Sequence, residues 1–199
     1  MIEYPQYRHL PTKYIIEKLS DFCEEDIPDG DITTISTIPE KTHVRAQIQT
    51  VEKLVFAGKV IIPLCFGKNC QVKIEPEDGE TLCKGDVIGE INGPAHLILS
   101  KERVMLNLIQ RLCGIATTTR QYVELADPFN VKILDTRKTT PGLRLFEKYA
   151  VAIGGAYNHR LNLSDGILIK DNHIIAAGSV TKAIEYARNS SISLPLELE

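Results

Sequence analysis

From Val131 to the end of the chain, short apolar runs alternate with stretches of helical periodicity, and this alternation narrows the fold more than any other feature. Val131-Lys132-Ile133-Leu134 reads as a strand, a helix follows through Tyr149 to about Ala152, and Gly166-Ile167-Leu168-Ile169 reads as a second strand. A helix from Val180 to Arg188, capped by Ser179, leads to a third strand that begins near Pro195. Strands separated by helices pair in parallel through right-handed crossovers, so this half is expected to build a parallel sheet. Three strands neither close a barrel nor cover both faces of a sheet, and the pattern stops in mid-strand at Glu199. The expected architecture is therefore an incomplete α/β barrel, or one that relies on a partner.

The first half follows a different grammar. Beyond Pro11, the apolar positions Tyr14, Ile15, Leu19, Phe22 and Cys23 recur at helical spacing as far as Asp26. Between Val44 and Pro94 short apolar runs are broken by Gly and Pro, which predicts a small antiparallel sheet interrupted by one helix beginning near Gly58. A long helix capped by Ser100 is expected next, with Val104, Leu108, Ile109, Leu112 and Ile115 as its apolar stripe and Arg103, Asn107 and Arg111 as a polar row. The division expected is a mixed α+β part over residues 1–115, which includes the start of the long helix, and the strand-helix part over 116–199.

Composition excludes several classes. With 43% hydrophobic residues the chain is not intrinsically disordered, and no apolar run approaches the roughly 18–20 residues of a membrane span. Met1 to Leu10 lacks the basic start and apolar run of a secretory signal. Five cysteines without a Cys-x-x-Cys pair suggest neither a disulfide framework nor a zinc site, which fits a reducing cytoplasm.

Charge is informative through its placement. The net charge is −3, yet the segment from Arg137 to Lys170 carries six cations and two acids, a surplus of four positive charges. Arg137 and Lys138 directly follow the 131–134 strand, and Lys170 directly follows the 166–169 strand. Parallel α/β folds place their ligands at these carboxyl ends. His159 and Arg160 follow the Gly154-Gly155 helix stop, and Thr139-Thr140-Pro141-Gly142 offers hydroxyls at a helix start. Arg grips a carboxylate or phosphate with a planar fork, and Lys acts as a point charge, so an anionic ligand with more than one charge is implied. Glu197 and Glu199 alternate with Leu196 and Leu198, so one of the two acids is expected at the barrel mouth, as a counter-charge or an oxygen ligand for Mg²⁺. Arg144 and Lys148 read as a solvent-facing helix pair, Arg111 as either a helix-surface charge or an interface residue, and Asp171-Asn172-His173 as either an N-cap or part of a site.

Five blocks carry a resemblance that covers most of the chain. They are Glu25-Asp26-Ile27-Pro28-Asp29-Gly30-Asp31-Ile32-Thr33-Thr34, the 102–117 helix with Arg103 and Arg111, Leu134-Asp135-Thr136-Arg137-Lys138-Thr139-Thr140-Pro141-Gly142-Leu143-Arg144, Gly154-Gly155-Ala156-Tyr157-Asn158-His159-Arg160, and Leu168-Ile169-Lys170-Asp171-Asn172-His173-Ile174. Together they resemble quinolinate phosphoribosyltransferase of bacterial NAD biosynthesis, the carboxylating nicotinate-nucleotide pyrophosphorylase family. The resemblance implies an N-terminal α/β sandwich on an incomplete barrel, a homodimer with shared sites, and transfer of phosphoribose from phosphoribosyl pyrophosphate to quinolinate with loss of CO₂. It implies that Arg103 enters the neighbouring subunit's site and that Thr136, Arg137, Lys138, His159, Arg160 and Lys170 bind substrate. Lys138 and Glu199 are implied on the catalytic side, Glu199 serving the Mg²⁺-pyrophosphate end. Family members continue past this point with further barrel strands, a second acid and phosphate-binding loops.

Two other readings compete. One is a phosphoribosyltransferase-like protein associated with molybdenum transport, and the other is a non-catalytic module that keeps only the dimer surface. Nucleic-acid binding is disfavoured by the net charge of −3, a pI near 6.0 and the lack of an aromatic platform to accompany the cations.

Overall fold

In the computed structural model the described residues are 4–199, so the first three positions of the Met1–Leu10 stretch lie outside them. Helix α1 (Thr12–Asp26) begins after Pro11, whose missing N–H costs nothing at a helix start, and it buries Ile15 and Leu19 four residues apart. A short helix α2 (Ile32–Thr37) is capped by Asp31, whose carboxylate accepts from the Thr34 backbone N–H at 3.0 Å. Strand β1 (His43–Gln49), the ribbon strand β2 (Leu54–Val55), helix α3 (Ile61–Phe66), β3 (Gln71–Ile74), β4 (Thr81–Leu82) and β5 (Val87–Pro94) then form the predicted antiparallel unit. Its sheet has the order β1-β5-β3, and β2 pairs with β4 alone.

The long helix α4 (Ala95–Ala126) starts five residues before the expected cap. Pro94 ends β5 with φ −57° and passes directly into the helix, while Ser100 lies inside it and turns its hydroxyl back to the Leu97 carbonyl. One stripe of α4 buries Val104, Met105, Leu108, Ile109 and Leu112, at about 1.5–3 kcal/mol for each such side chain. It packs on β2 and α3 on one side and on α5 (Arg144–Ile153) on the other, so it passes unbroken through residue 115 and belongs to both halves.

A second tie between the halves comes from Asp78. Its carboxylate accepts from the Gly58 and Lys59 N–H groups at 2.7 and 3.0 Å and from the Tyr149 hydroxyl of α5. Gly58 has φ +134°, and a Cβ there would come within 2.2 Å of Ile109 Cδ1, so both backbone and packing demand glycine. The 77–80 turn, to which the sequence assigned no chemistry, is thus a structural hinge-pin.

In the second half β6 (Ile167–Ile169) and β7 (Leu196–Leu198) pair in parallel, as the strand-helix alternation requires, with α6 (Asp171–Ala177) and α7 (Val180–Asn189) between them. Ser179 caps α7 by accepting from the Lys182 N–H. The expected 131–134 strand shrinks to one parallel bridge between Leu134 and Tyr157, flanked by hydrogen bonds from Tyr157 N–H to Ile133 and from Asp135 N–H to Tyr157. Val131 and Lys132 are exposed, so nothing draws them into a ladder. The bridge adds a parallel segment at Tyr157 that the sequence reading lacked, and β7 follows it as a fourth such segment rather than a third.

Candidate active site

The carboxyl ends of these parallel segments surround a cavity of about 510 Å³. Of the sequence-predicted residues, Thr136, Arg137, Lys138, His159, Arg160, Lys170 and Glu199 all line it, together with Asp135 and Glu197. Arg103 does not: it is exposed on α4 and is not among the residues that line this cavity. A smaller hollow of about 270 Å³ between α1 and α4 includes Arg111 but none of the other cations.

Strand register explains the adjacency at the rim. Ile169 stands beside Leu198, so the next residues, Lys170 and Glu199, fall side by side and their side chains form an ion pair. The Lys170 ammonium beside it holds the Glu199 carboxyl below its ordinary range, with Lys138 and His159 adding to the effect. Both Glu197 and Glu199 face the cavity, whereas the sequence expectation placed one of them there; period two puts residues 197 and 199 on the same face. Glu197 meets His159 Nε2 at 2.8 Å and accepts from the Tyr4 hydroxyl at 3.1 Å.

Arg160 is buried, with Nη1 donating to the Gly166 carbonyl at 2.8 Å. Arg137 Nε is sealed from solvent without a hydrogen-bond partner. A buried guanidinium N–H left unpaired is costly unless an acceptor arrives, so this atom marks where an anion fits. The loop that carries Arg137 is held from behind: Arg111 Nε donates to Glu147 at 2.9 Å, its Nη2 reaches Thr140 Oγ1, and Glu147 also accepts from the Thr140 N–H. Arg111 is therefore an intramolecular brace for this loop.

The expectation that Arg144 and Lys148 face solvent is wrong. Arg144 donates to Thr139 Oγ1 and to the Leu161 carbonyl, and Lys148 has no exposed side-chain surface. Lys148 pairs with Asp135, which also accepts from the His159 N–H at 2.8 Å and from Asn158 Nδ2 at 2.7 Å. Burial pushes the Lys148 ammonium below its usual pKa, and Asp135 opposes that shift. The high apolar content of α5 hid this inward-facing lysine, since a lone Lys-Glu-Arg spacing looks like surface. Its signal was Asp135, an acid at the strand end just ahead of a strongly basic segment. His173 is an N-terminal capping residue of α6, its Nδ1 accepting from the Lys170 N–H at 3.0 Å.

What the arrangement offers is a concave cluster of five nitrogen cations or potential cations against acids at one edge, suited to a polyanion with carboxylate and phosphate groups. Known proteins share this plan. Residues 31–113 match the family model described as quinolinate phosphoribosyl transferase, N-terminal domain, and residues 115–199 match the model of its C-terminal domain. The probable nicotinate-nucleotide pyrophosphorylase [carboxylating] of Bacillus subtilis (strain 168) is 48% identical over 197 residues, covering 96% of this chain and 67% of that protein. The chloroplastic nicotinate-nucleotide pyrophosphorylase [carboxylating] of Arabidopsis thaliana is 41% identical over 177 residues, 85% of this chain and 50% of that one. The crystal structure of NadC from Streptococcus pyogenes superposes with a TM-score of 0.89 at 40% identity, over 95% of this chain and 70% of that chain. The chain thus spans between half and about two thirds of the length of these relatives.

Proposed function

Because the chain belongs to the quinolinate phosphoribosyltransferase family, we propose that it takes part in NAD biosynthesis by transferring phosphoribose from phosphoribosyl pyrophosphate to quinolinate, with release of pyrophosphate and CO₂. The observation that carries the reading is the buried, unpartnered Arg137 Nε in a cavity that also holds His159, Arg160 and Lys170. A dicarboxylate brings two charged groups to this cluster, one for Arg137 and one for the remaining cations, where a monoanion brings one.

In this reading Arg137, His159, Arg160 and Lys170 hold the two carboxylates, while Lys138 and the Thr136 hydroxyl face the phosphoribosyl pyrophosphate. The pyridine nitrogen attacks the anomeric carbon as the pyrophosphate oxygen leaves, through an oxocarbenium-like state. The ring nitrogen becomes cationic, and the adjacent 2-carboxylate departs as CO₂. Its electron pair stays on C2, stabilised by that cation, and takes a proton from water. No protein base is needed. The residues act by fixing two polyanions against mutual repulsion, which is where positioning and preorganised charge contribute most.

Glu199 suits a Mg²⁺ ion of the kind that uses one or two carboxylates and takes its remaining oxygens from substrate phosphates. Mg²⁺ there would neutralise the leaving pyrophosphate. Arg103, exposed on α4, is free to reach a second copy, which supports a homodimer with shared sites. The five free cysteines suit a reducing cytoplasm, and among the described residues no helix is long and apolar enough to cross a membrane.

The test is to supply quinolinate, phosphoribosyl pyrophosphate and Mg²⁺ and follow mononucleotide, pyrophosphate and CO₂. Equal yields of the three support the proposal. Pyrophosphate without mononucleotide and CO₂ would mean that water, not quinolinate, takes the phosphoribosyl group, and would overturn it.

A further inference from the structure

Residues 4–7 precede α1 and show no periodicity, yet they are bonded to the site end of the barrel half, more than 150 positions further along the chain. Gln6 exchanges two hydrogen bonds with the Asn158 backbone, at 3.0 and 2.8 Å, and the Tyr7 N–H donates to Asn158 Oδ1 at 2.7 Å. Tyr4 goes deeper. Its buried hydroxyl donates to Glu197 Oε1, the other oxygen of Glu197 meets His159 Nε2, and the Tyr4 ring stands edge-on to the His159 ring with centroids 4.6 Å apart. One side chain therefore touches both members of the Glu197–His159 pair. Burial and the neighbouring Glu197 raise the Tyr4 pKa, which keeps the phenol a donor.

An independent observation concerns Gly166. Its φ is not positive, so conformation alone does not call for glycine there, but a Cβ would come within 2.5 Å of the Tyr4 hydroxyl and 3.2 Å of two of its ring carbons. Space for Tyr4 exists because residue 166 has no side chain. The same glycine's carbonyl accepts from Arg160, another residue of the cavity.

We propose that Tyr4 is a positioning residue for the anion site, seated in the slot left by Gly166 and fixing His159 through Glu197 from one side and through its ring from the other. The N-terminal strap then serves the site as well as the fold. This rests on the reading of His159 as a substrate-binding residue.

The variants Tyr4→Phe, Tyr4→Ala, Gly166→Ala and the double Tyr4→Ala/Gly166→Ala test it by three readouts: quinolinate affinity by calorimetry, the His159 ring signals by NMR assigned with His159→Gln, and thermal stability. Tyr4→Phe keeps the ring and loses a hydrogen bond to a charged group, which predicts about three- to tenfold weaker quinolinate binding. Tyr4→Ala also shifts the His159 signals, because the ring current is gone. Gly166→Ala reproduces Tyr4→Ala by expelling the ring, and the double variant is no worse than either single one, the non-additivity expected of residues sharing one contact. Lowered stability with unchanged His159 signals and unchanged affinity would overturn the proposal, as would fully additive losses. If the parent chain binds no quinolinate while the His159 signals still move in Tyr4→Phe, which keeps the ring, the substrate assignment falls and the positioning role stands.

Discussion

Lys148, its side chain sealed from solvent, forms an ion pair with the largely buried carboxylate of Asp135, directly behind the loop that presents Arg137 and Lys138. The same carboxylate holds the backbone of His159, and Lys148 Nζ donates to the His159 carbonyl at 3.1 Å. One buried pair therefore fixes the spacing between two of the segments that build the cavity.

Removing one partner leaves a buried charge alone. Lys148→Met is expected to lower unfolding free energy by about 3–5 kcal/mol, and adding Asp135→Asn to recover much of that loss, since the stranded carboxylate is then gone. Urea unfolding midpoints decide it, and a single variant within about 0.5 kcal/mol of the parent, the range of ordinary surface changes, would show the pair to be unimportant.

Arg137 gives a second prediction. Its Nε awaits an acceptor, so Arg137→Ala is expected to weaken quinolinate binding by roughly a hundredfold, the scale of losing a charge-assisted fork in a desolvated site. Arg137→Lys should restore little, because a point charge cannot replace the planar donor set. Parent-like affinity in the alanine variant would remove Arg137 from the site.

Sharing of sites between subunits is tested by mixing. Arg103→Ala and Lys138→Ala chains, each inactive alone, should regain part of the parent turnover when co-refolded, because some sites then draw an intact Arg103 from one copy and an intact Lys138 from the other. Absence of recovery at every ratio would place Arg103 outside the site.

The cysteines yield a pH prediction. Burial pushes the Cys65 thiol up to about 12 and the Cys113 thiol up to about 11 from 9.0. A raised folded-state pKa means that the native state keeps its proton longer than the unfolded chain does. Their contribution to stability is then complete below pH 9 and is lost as pH climbs toward 12. At pH 8 a thiol reagent should modify exposed Cys83 at once and reach Cys65 and Cys113 only on unfolding. Rapid labelling of Cys113 in the native state would contradict its packing against Ala57.

Periodicity made α1, α7, the antiparallel sheet and the β6–β7 pairing legible, because each buries one face at a regular repeat. Arg137, Lys138 and Lys170 were legible from position, since they directly follow strands, whereas His159 and Arg160 were marked only by the Gly154-Gly155 helix stop before them. Three things were not. The start of α4 lay at Pro94, where strand passes into helix without a polar cap. The bridge at Tyr157 is one residue long and leaves no alternation to read. Lys148 and Tyr4 bond to residues far away in the chain, and no local spacing encodes a partner 13 or 193 positions distant.

The central claim is that the cavity recognises a dicarboxylate, and the direct measurement is a calorimetric titration of the chain with quinolinate and, separately, with its monocarboxylate counterpart nicotinate. The account predicts that quinolinate binds at least about tenfold more tightly, the second carboxylate meeting cations that nicotinate leaves unpaired, and that Arg137→Ala erases most of the difference. Equal affinities for the two acids would contradict it.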